Sequence, residues 1–227
     1  MSVSFDAGHL RLHGMTPASA FPAIGRAGGP AAGRALRARG QRTVNKLLDA
    51  GVEVLAARGY HAARVDDIVK AAKTSHGTFY LYFANKEDLV RALVLDVGEA
   101  MAAHAGTLGP LTPDDDGRAE LQRWIRGFGD LYRTYASVIR SWVEAEIDTH
   151  QFGQLGADVL GGFASVLTDR VAASKAVVAD PANAAVVLVA MIERCNYYAT
   201  LGQIRAEPDE LAASLARAAH AALFGSN

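Results

Sequence analysis

The residues with most chemistry to offer lie between Arg42 and Lys86. Thr74-Ser75-His76-Gly77-Thr78 places three hydroxyls, an imidazole and a bare stretch of backbone side by side, followed by Tyr80, Tyr82 and Lys86. Short polar side chains at a helix start can donate to and accept from base edges, while phenols and ammonium groups reach phosphate oxygens. On an ordinary helical hairpin the same side chains are simply a wet face, so geometry has to decide. Upstream, Arg34, Arg37, Arg39 and Arg42 make a basic run, with Thr43 and Lys46 following it. That run reads either as a solvated tail or as an arm lying along phosphates or in a minor groove, and phosphate contact is the preferred reading.

The elements that must position these groups are legible in the spacing. Val65, Ile68, Val69 and Ala72 recur at three- and four-residue intervals, so they share one face of a helix. Asp66 and Asp67 occupy its first turn, where the helix dipole favours negative charge. Lys73-Thr74 make a turn, and Ser75 is placed to cap a second helix from His76 through Phe79-Tyr80. Phe79 and Phe83 are its core anchors. A longer helix precedes this pair, from Gln41 or Arg42 to Arg58, with Val44, Leu47, Leu48 and Leu55 inward and Gly59 as terminator. A fourth, capped by Asn85, runs to near Ala105 with Leu89, Leu93, Val94 and Val97 on one side. Two helices joined by a tight turn form the geometry that sets the second in a DNA major groove.

The spelling is more specific than the geometry. Leu47, Leu48, Ala50, Gly59 and Tyr60, then Val65, Ile68, Ala71, Ala72, Ser75, Gly77, Tyr80, Tyr82, Phe83, Lys86 and Leu89, resemble the DNA-binding domain of the tetracycline-repressor (TetR) family. The run G-x-x-Y-x-Y-F-x-x-K-x-x-L carries most of that likeness. Three positions depart from the pattern: Ala63-Arg64 replaces a Ser or Thr cap, Lys73 the turn glycine, and Gly51 an alanine. A lysine in a left-handed turn costs on the order of 1 kcal/mol. The resemblance implies an all-α fold, with a helix-turn-helix domain followed by a helical effector-binding and dimerisation domain. It implies double-stranded DNA contacts at Arg42, Thr43, Lys46, Thr74, Ser75, His76, Gly77, Thr78, Tyr80, Tyr82 and Lys86. It further implies a homodimer acting as a repressor on a palindromic operator and released by a small, largely apolar effector. A relative that senses small molecules or acts as a scaffold, having lost DNA binding, is the alternative.

Composition agrees with helices. Half of the 227 residues are hydrophobic, many of them alanine. Net charge is only −1, but its distribution is uneven. From Arg34 to Arg91 there are 11 Lys and Arg against 6 Asp and Glu; from Ala92 onward there are 10 against 17. A basic head on an acidic body suits a nucleic-acid reader. Cys195 stands alone, which excludes an internal disulfide and points to the cytoplasm. No apolar run approaches the roughly 20 residues that cross a membrane. Residues 1–33 are rich in Ala, Gly and Pro without a period and are expected to be a low-complexity extension; His9 and His13 there make no expected metal site. Domains are therefore expected at 34–86 and 87–227.

Beyond the break at Gly106–Gly117, where Asp116 or a neighbour caps the next helix, Leu121, Trp124, Phe128, Leu131, Tyr132 and Tyr135 follow at helical spacing. Such a stripe serves either as core or as a ligand box. By resemblance the effector lies among Trp124, Phe128, Tyr132, Trp142, Phe163, Asn196 and Tyr197. Further helices are expected over Phe152–Ser174, from Asp180-Pro181 to Leu201, and over Asp209–Phe224. Gly161-Gly162 implies either a close helix crossing or room for a small molecule. The last two helices would pair with their copies in a second subunit, close approach being permitted by Ala184, Ala185, Ala212, Ala213, Ala216 and Ala219. Glu193-Arg194 reads as an exposed charge pair. Without HExxH, GxSxG or a Cys-His signature, no enzyme and no cofactor is expected.

Overall fold

The computed structural model describes residues 38–146 and 150–225. The expected extension at 1–33, with His9 and His13, and the side chains of Arg34, Arg37 and Arg39 lie outside the described residues. All regular structure among the described residues is α-helical: α1 Ala38–Ala62, α2 Val65–Ala71, α3 His76–Tyr82, α4 Lys86–Ala105, α5 Asp115–Thr134, α6 Ala136–Glu146, α7 His150–Ala172, α8 Pro181–Thr200 and α9 Pro208–Phe224. They pack as two units that divide within α4, after Asp96. No helix among the described residues is long and apolar enough to cross a membrane.

In the first unit, Val44, Leu47, Leu48 and Leu55 of α1 are buried with Ile68, Val69, Phe79, Phe83 and Leu89. α1 is broken where the glycine signal falls, since Gly59 has φ 72 and ψ 175. Gly51, where the family pattern has alanine, faces Leu89: a Cβ there would sit 2.6 Å from Leu89 Cδ2. Leucine at 89 thus occupies the space that an alanine methyl would need. Asn85 caps α4 by accepting from the Asp88 N–H at 2.8 Å.

The second unit takes the C-terminal part of α4, where Val97, Met101 and Ala105 are buried, together with α5 to α9. α5 packs chiefly on α9, and α7 on α8. Asp114 is the α5 cap, its Oδ1 accepting from the Gly117 N–H at 3.0 Å, and Asp180 caps α8 with Pro181 in the first turn. Two expectations need correction. Cβ positions at Gly161 and Gly162 would meet nothing within 4 Å, so α7 makes no close crossing there and both glycines are exposed. Ala185, Ala212, Ala216 and Ala219 are buried within this one chain, because small residues let α5, α8 and α9 approach each other; that leaves only Ala184 and Ala213 of the six partly exposed.

Candidate nucleic-acid interface

α2 and α3 are joined by a left-handed turn whose hydrogen bonds account for its shape. The Thr74 N–H donates to the Val69 carbonyl at 2.9 Å, and the Lys73 N–H to the Lys70 carbonyl at 3.2 Å. This pair of bonds is the Schellman closure of a helix, with Lys73 as the residue that must turn left-handed. Its φ is 51, the only positive φ outside glycine among the described residues. The turn therefore forms with lysine in the usual glycine position. α2 itself starts without a side-chain cap at Arg64, as the departure at Ala63-Arg64 implied.

Ser75 Oγ accepts from the Thr78 N–H at 3.2 Å, and the two hydroxyls lie 3.0 Å apart, so the start of α3 is fixed by its own side chains. Phe79 and Phe83 are buried, and their ring centroids lie 5.6 Å apart. Anchored in this way, α3 turns its other face outward: the His76 side chain is 53% exposed and Tyr80 is 51% exposed. A Cβ at Gly77 would meet only Ser75 Oγ, at 3.8 Å, so nothing inside the fold requires glycine there. Thr74, Thr78 and Tyr82 are half-buried beside them. On α1, Arg42 and Lys46 are exposed and Thr43 half-buried.

Two contacts were not foreseen. His76 Nε2 donates to Asp66 Oδ1 at 2.6 Å, tying the start of α3 to the start of α2. The two residues lie ten apart, beyond the reach of any helical period. Lys86 Nζ donates to the Tyr60 carbonyl at 2.7 Å and sits 4.2 Å from the centre of the Tyr60 ring. Its ammonium therefore has an internal partner, which fastens the start of α4 to the end of α1, before any phosphate is considered.

In the second unit, Trp124, Phe128, Tyr132 and Phe163 do come together, as a packed stack. Trp124 and Phe163 have centroids 5.8 Å apart, Phe128 and Phe163 5.3 Å, and Phe128 and Tyr132 5.8 Å. His104 of α4 joins the stack, 5.2 Å from Trp124; its Nε2 donates to the Trp124 carbonyl, while the indole N–H donates to the His104 carbonyl, both at 3.0 Å. Burial pushes the His104 imidazole below its ordinary 6.5. Tyr132 donates to Glu193 Oε1 at 2.8 Å, and burial together with that carboxylate pushes the phenol well up, holding it protonated. The expected Glu193-Arg194 pair forms, at 3.5 Å, but only Arg194 is exposed: the Glu193 carboxylate is largely buried and shared with Tyr132. Trp142 is buried, and Tyr197 is half-buried under the Arg194 guanidinium at 5.0 Å. A pocket of about 90 Å³ opens between α5, α8 and α9, and of the seven expected effector residues only Asn196 lines it.

Residues 47–93 match the family model described as bacterial regulatory proteins, tetR family. Among curated relatives, the fatty acid metabolism regulator protein of Bacillus subtilis is 50% identical over 48 residues, 21% of this chain and 25% of that protein. The transcriptional regulator AcuR of Cereibacter sphaeroides is 48% identical over 48 residues, 21% of this chain and 22% of that protein. The matched stretch thus spans about a quarter of these relatives' length. The fold extends much further. FadR from Bacillus subtilis, solved in complex with stearoyl-CoA, is 21% identical with TM-score 0.63, covering 81% of this chain and 99% of that one. Salmonella enterica GusR is 19% identical with TM-score 0.66, covering 81% and 96%. A TetR-like transcriptional regulator from Rhodococcus sp. RHA1 is 26% identical with TM-score 0.55, covering 83% and 97%. Residues 47–93 thus form a helix-turn-helix of the tetR family of bacterial regulatory proteins, and the chain shares its fold with solved regulators over about four-fifths of its length.

Proposed function

We propose that the protein is a ligand-responsive transcriptional regulator, a repressor that binds a near-palindromic DNA operator as a homodimer. The observation that carries this reading is the start of α3, where His76 and Gly77 are exposed, with Thr78 half-buried beside them, on a helix anchored by Phe79 and Phe83. Glycine in an exposed helix costs about 1 kcal/mol relative to alanine, and Gly77 has no neighbour that explains it. Close approach of another backbone, here that of DNA, would. Residues 34–86 are assigned to DNA and 87–227 to effector and dimer.

For the dimer, the support is an exposed apolar strip on α8, where Val186 and Val187 are 56% and 63% exposed. For the effector, the support is the aromatic stack. Stearoyl-CoA is bound by the Bacillus subtilis structure; here Trp124, Phe128 and Phe163 touch one another, and a small apolar effector entering among them must part the rings. Because His104 of α4 belongs to the stack, parting it shifts the one helix common to both units. An effector preferring the released state about 100-fold at each of two sites moves the equilibrium by roughly 5.5 kcal/mol.

The reading is tested by titrating variants against a preferred duplex and its scrambled form at several salt concentrations. His76→Ala and Thr78→Ala should relax base preference. Lys46→Ala should weaken all sequences alike and lower the salt slope by about 0.9. Identical behaviour of all three would reject the assigned roles.

A further inference from the structure

The pocket between α5, α8 and α9 is lined by two polar side chains, Asn196 and Arg133, that face one another across it. Asn196 is 5% exposed, and its Nδ2 donates to the Ile192 carbonyl at 2.8 Å. Because that carbonyl only accepts, the amide orientation is fixed, and Oδ1 is the atom turned towards α5. It points at Gly129: a Cβ there would lie 2.9 Å from Asn196 Oδ1 and 3.5 Å from Arg133 Nη1. An acceptor and a donor therefore face one small volume that glycine keeps open.

The mouth of this volume is close to neutral. Arg126 pairs with Asp130 and Asp209, and Arg133 pairs with Asp130 through Nη2. Two cations and two carboxylates cancel, which leaves Arg133 Nη1 as a donor without adding net charge. Apart from Thr200, the remaining wall is apolar, chiefly Ile125, Leu211 and Leu215. A charged ligand would lose hydration on entry and gain no net counter-charge. One uncharged group that accepts from Arg133 and donates to Asn196 satisfies both.

We infer that this pocket binds a small uncharged amphiphile with a short alkyl body, whose single polar group, a primary amide or a hydroxyl, both accepts and donates. At about 90 Å³, and roughly 10–15 Å³ for each water held, the space suits a ligand of about half a dozen non-hydrogen atoms. The polar group takes a hydrogen bond from Arg133 Nη1 and gives one to Asn196 Oδ1, and the alkyl end lies against Ile125, Leu211 and Leu215. The site is separate from the stacked rings of Trp124, Phe128 and Phe163. It rests on the proposed effector response for its regulatory meaning only, since occupancy can be read on the free protein.

The test is ligand-observed NMR on the full chain, without DNA, using butyramide, 1-butanol, butyrate and butylammonium as probes of one size. Butyramide and 1-butanol should bind, and the two ions should bind at least ten-fold more weakly. Arg133→Met keeps an unbranched stem on a partly exposed side chain while removing the guanidinium donor, and should weaken butyramide about ten-fold. Gly129→Ala should abolish binding by placing a methyl between the two polar groups. Absence of binding by butyramide and 1-butanol at tens of millimolar, equal binding of the ions, or an unchanged Arg133→Met would each overturn the site. A chain that binds butyramide yet retards no DNA would refute the regulatory reading and leave the site standing.

Discussion

Lys73 is strained by the turn it makes, and the strain can be measured. At φ 51 its Cβ crowds the following carbonyl oxygen, a conformation that costs an L-residue roughly 1–2 kcal/mol. Replacing it by glycine removes that term but gives the unfolded chain more freedom, worth about 0.5–1 kcal/mol in the other direction. The difference predicts that Lys73→Gly stabilises the protein by roughly 0.5–1 kcal/mol. In a chain of this size 1 kcal/mol raises Tm by about 2–4 °C. Lys73→Ala is the control, because it loses the ammonium but keeps the Cβ and should gain nothing. Thermal denaturation followed by circular dichroism, with urea unfolding alongside, reads both variants. The reasoning is wrong if glycine fails to stabilise, or if alanine stabilises as much, since the effect would then belong to charge rather than to backbone.

Gly117→Ala should be among the most damaging single-methyl changes. Its Cβ would lie 2.1 Å from the Thr112 carbonyl oxygen, a backbone atom that cannot rotate away, so a loss of about 1–3 kcal/mol or more is expected in urea unfolding. His104 makes stability depend on pH in a defined window. Its folded pKa is lowered by burial, so as pH falls past 6.5 the unfolded chain takes up a proton before the folded one does. Stability contributed by the neutral imidazole is therefore complete above about pH 6.5 and is lost as pH falls from there towards the depressed folded value. His104→Gln should remove that component from a plot of unfolding free energy against pH.

What could be read from the chain without coordinates was what local signals control. The break at Gly59, the caps at Ser75 and Asn85, and the start at Asp180-Pro181 each depend on a few neighbouring residues, and each lies where the spacing put it. Periodicity also found the buried faces, including Phe79, Phe83, Trp124 and Phe128. Contacts between helices were not legible. From its position in the sequence Asp66 is only a first-turn carboxylate, yet it holds His76. The sequence offers Lys86 as a phosphate-reaching ammonium and as part of the family-like run, yet it bonds Tyr60. The alanines of α9 gave no sign of whether they faced this chain or another. Arg133 and Gly129 lie outside the apolar pattern of α5, and only the crossing with Asn196 gives them a joint meaning.

The central claim is that two copies of α3 enter successive major grooves. Hydroxyl-radical footprinting of the full-length protein on duplexes selected from a randomised pool, at low salt and without added small molecules, tests it most directly. The account predicts two symmetric protected patches, centred about one helical turn or roughly 34–36 Å apart, with inverted half-sites beneath them. Failure to select any duplex, or a single unrepeated patch, would contradict it.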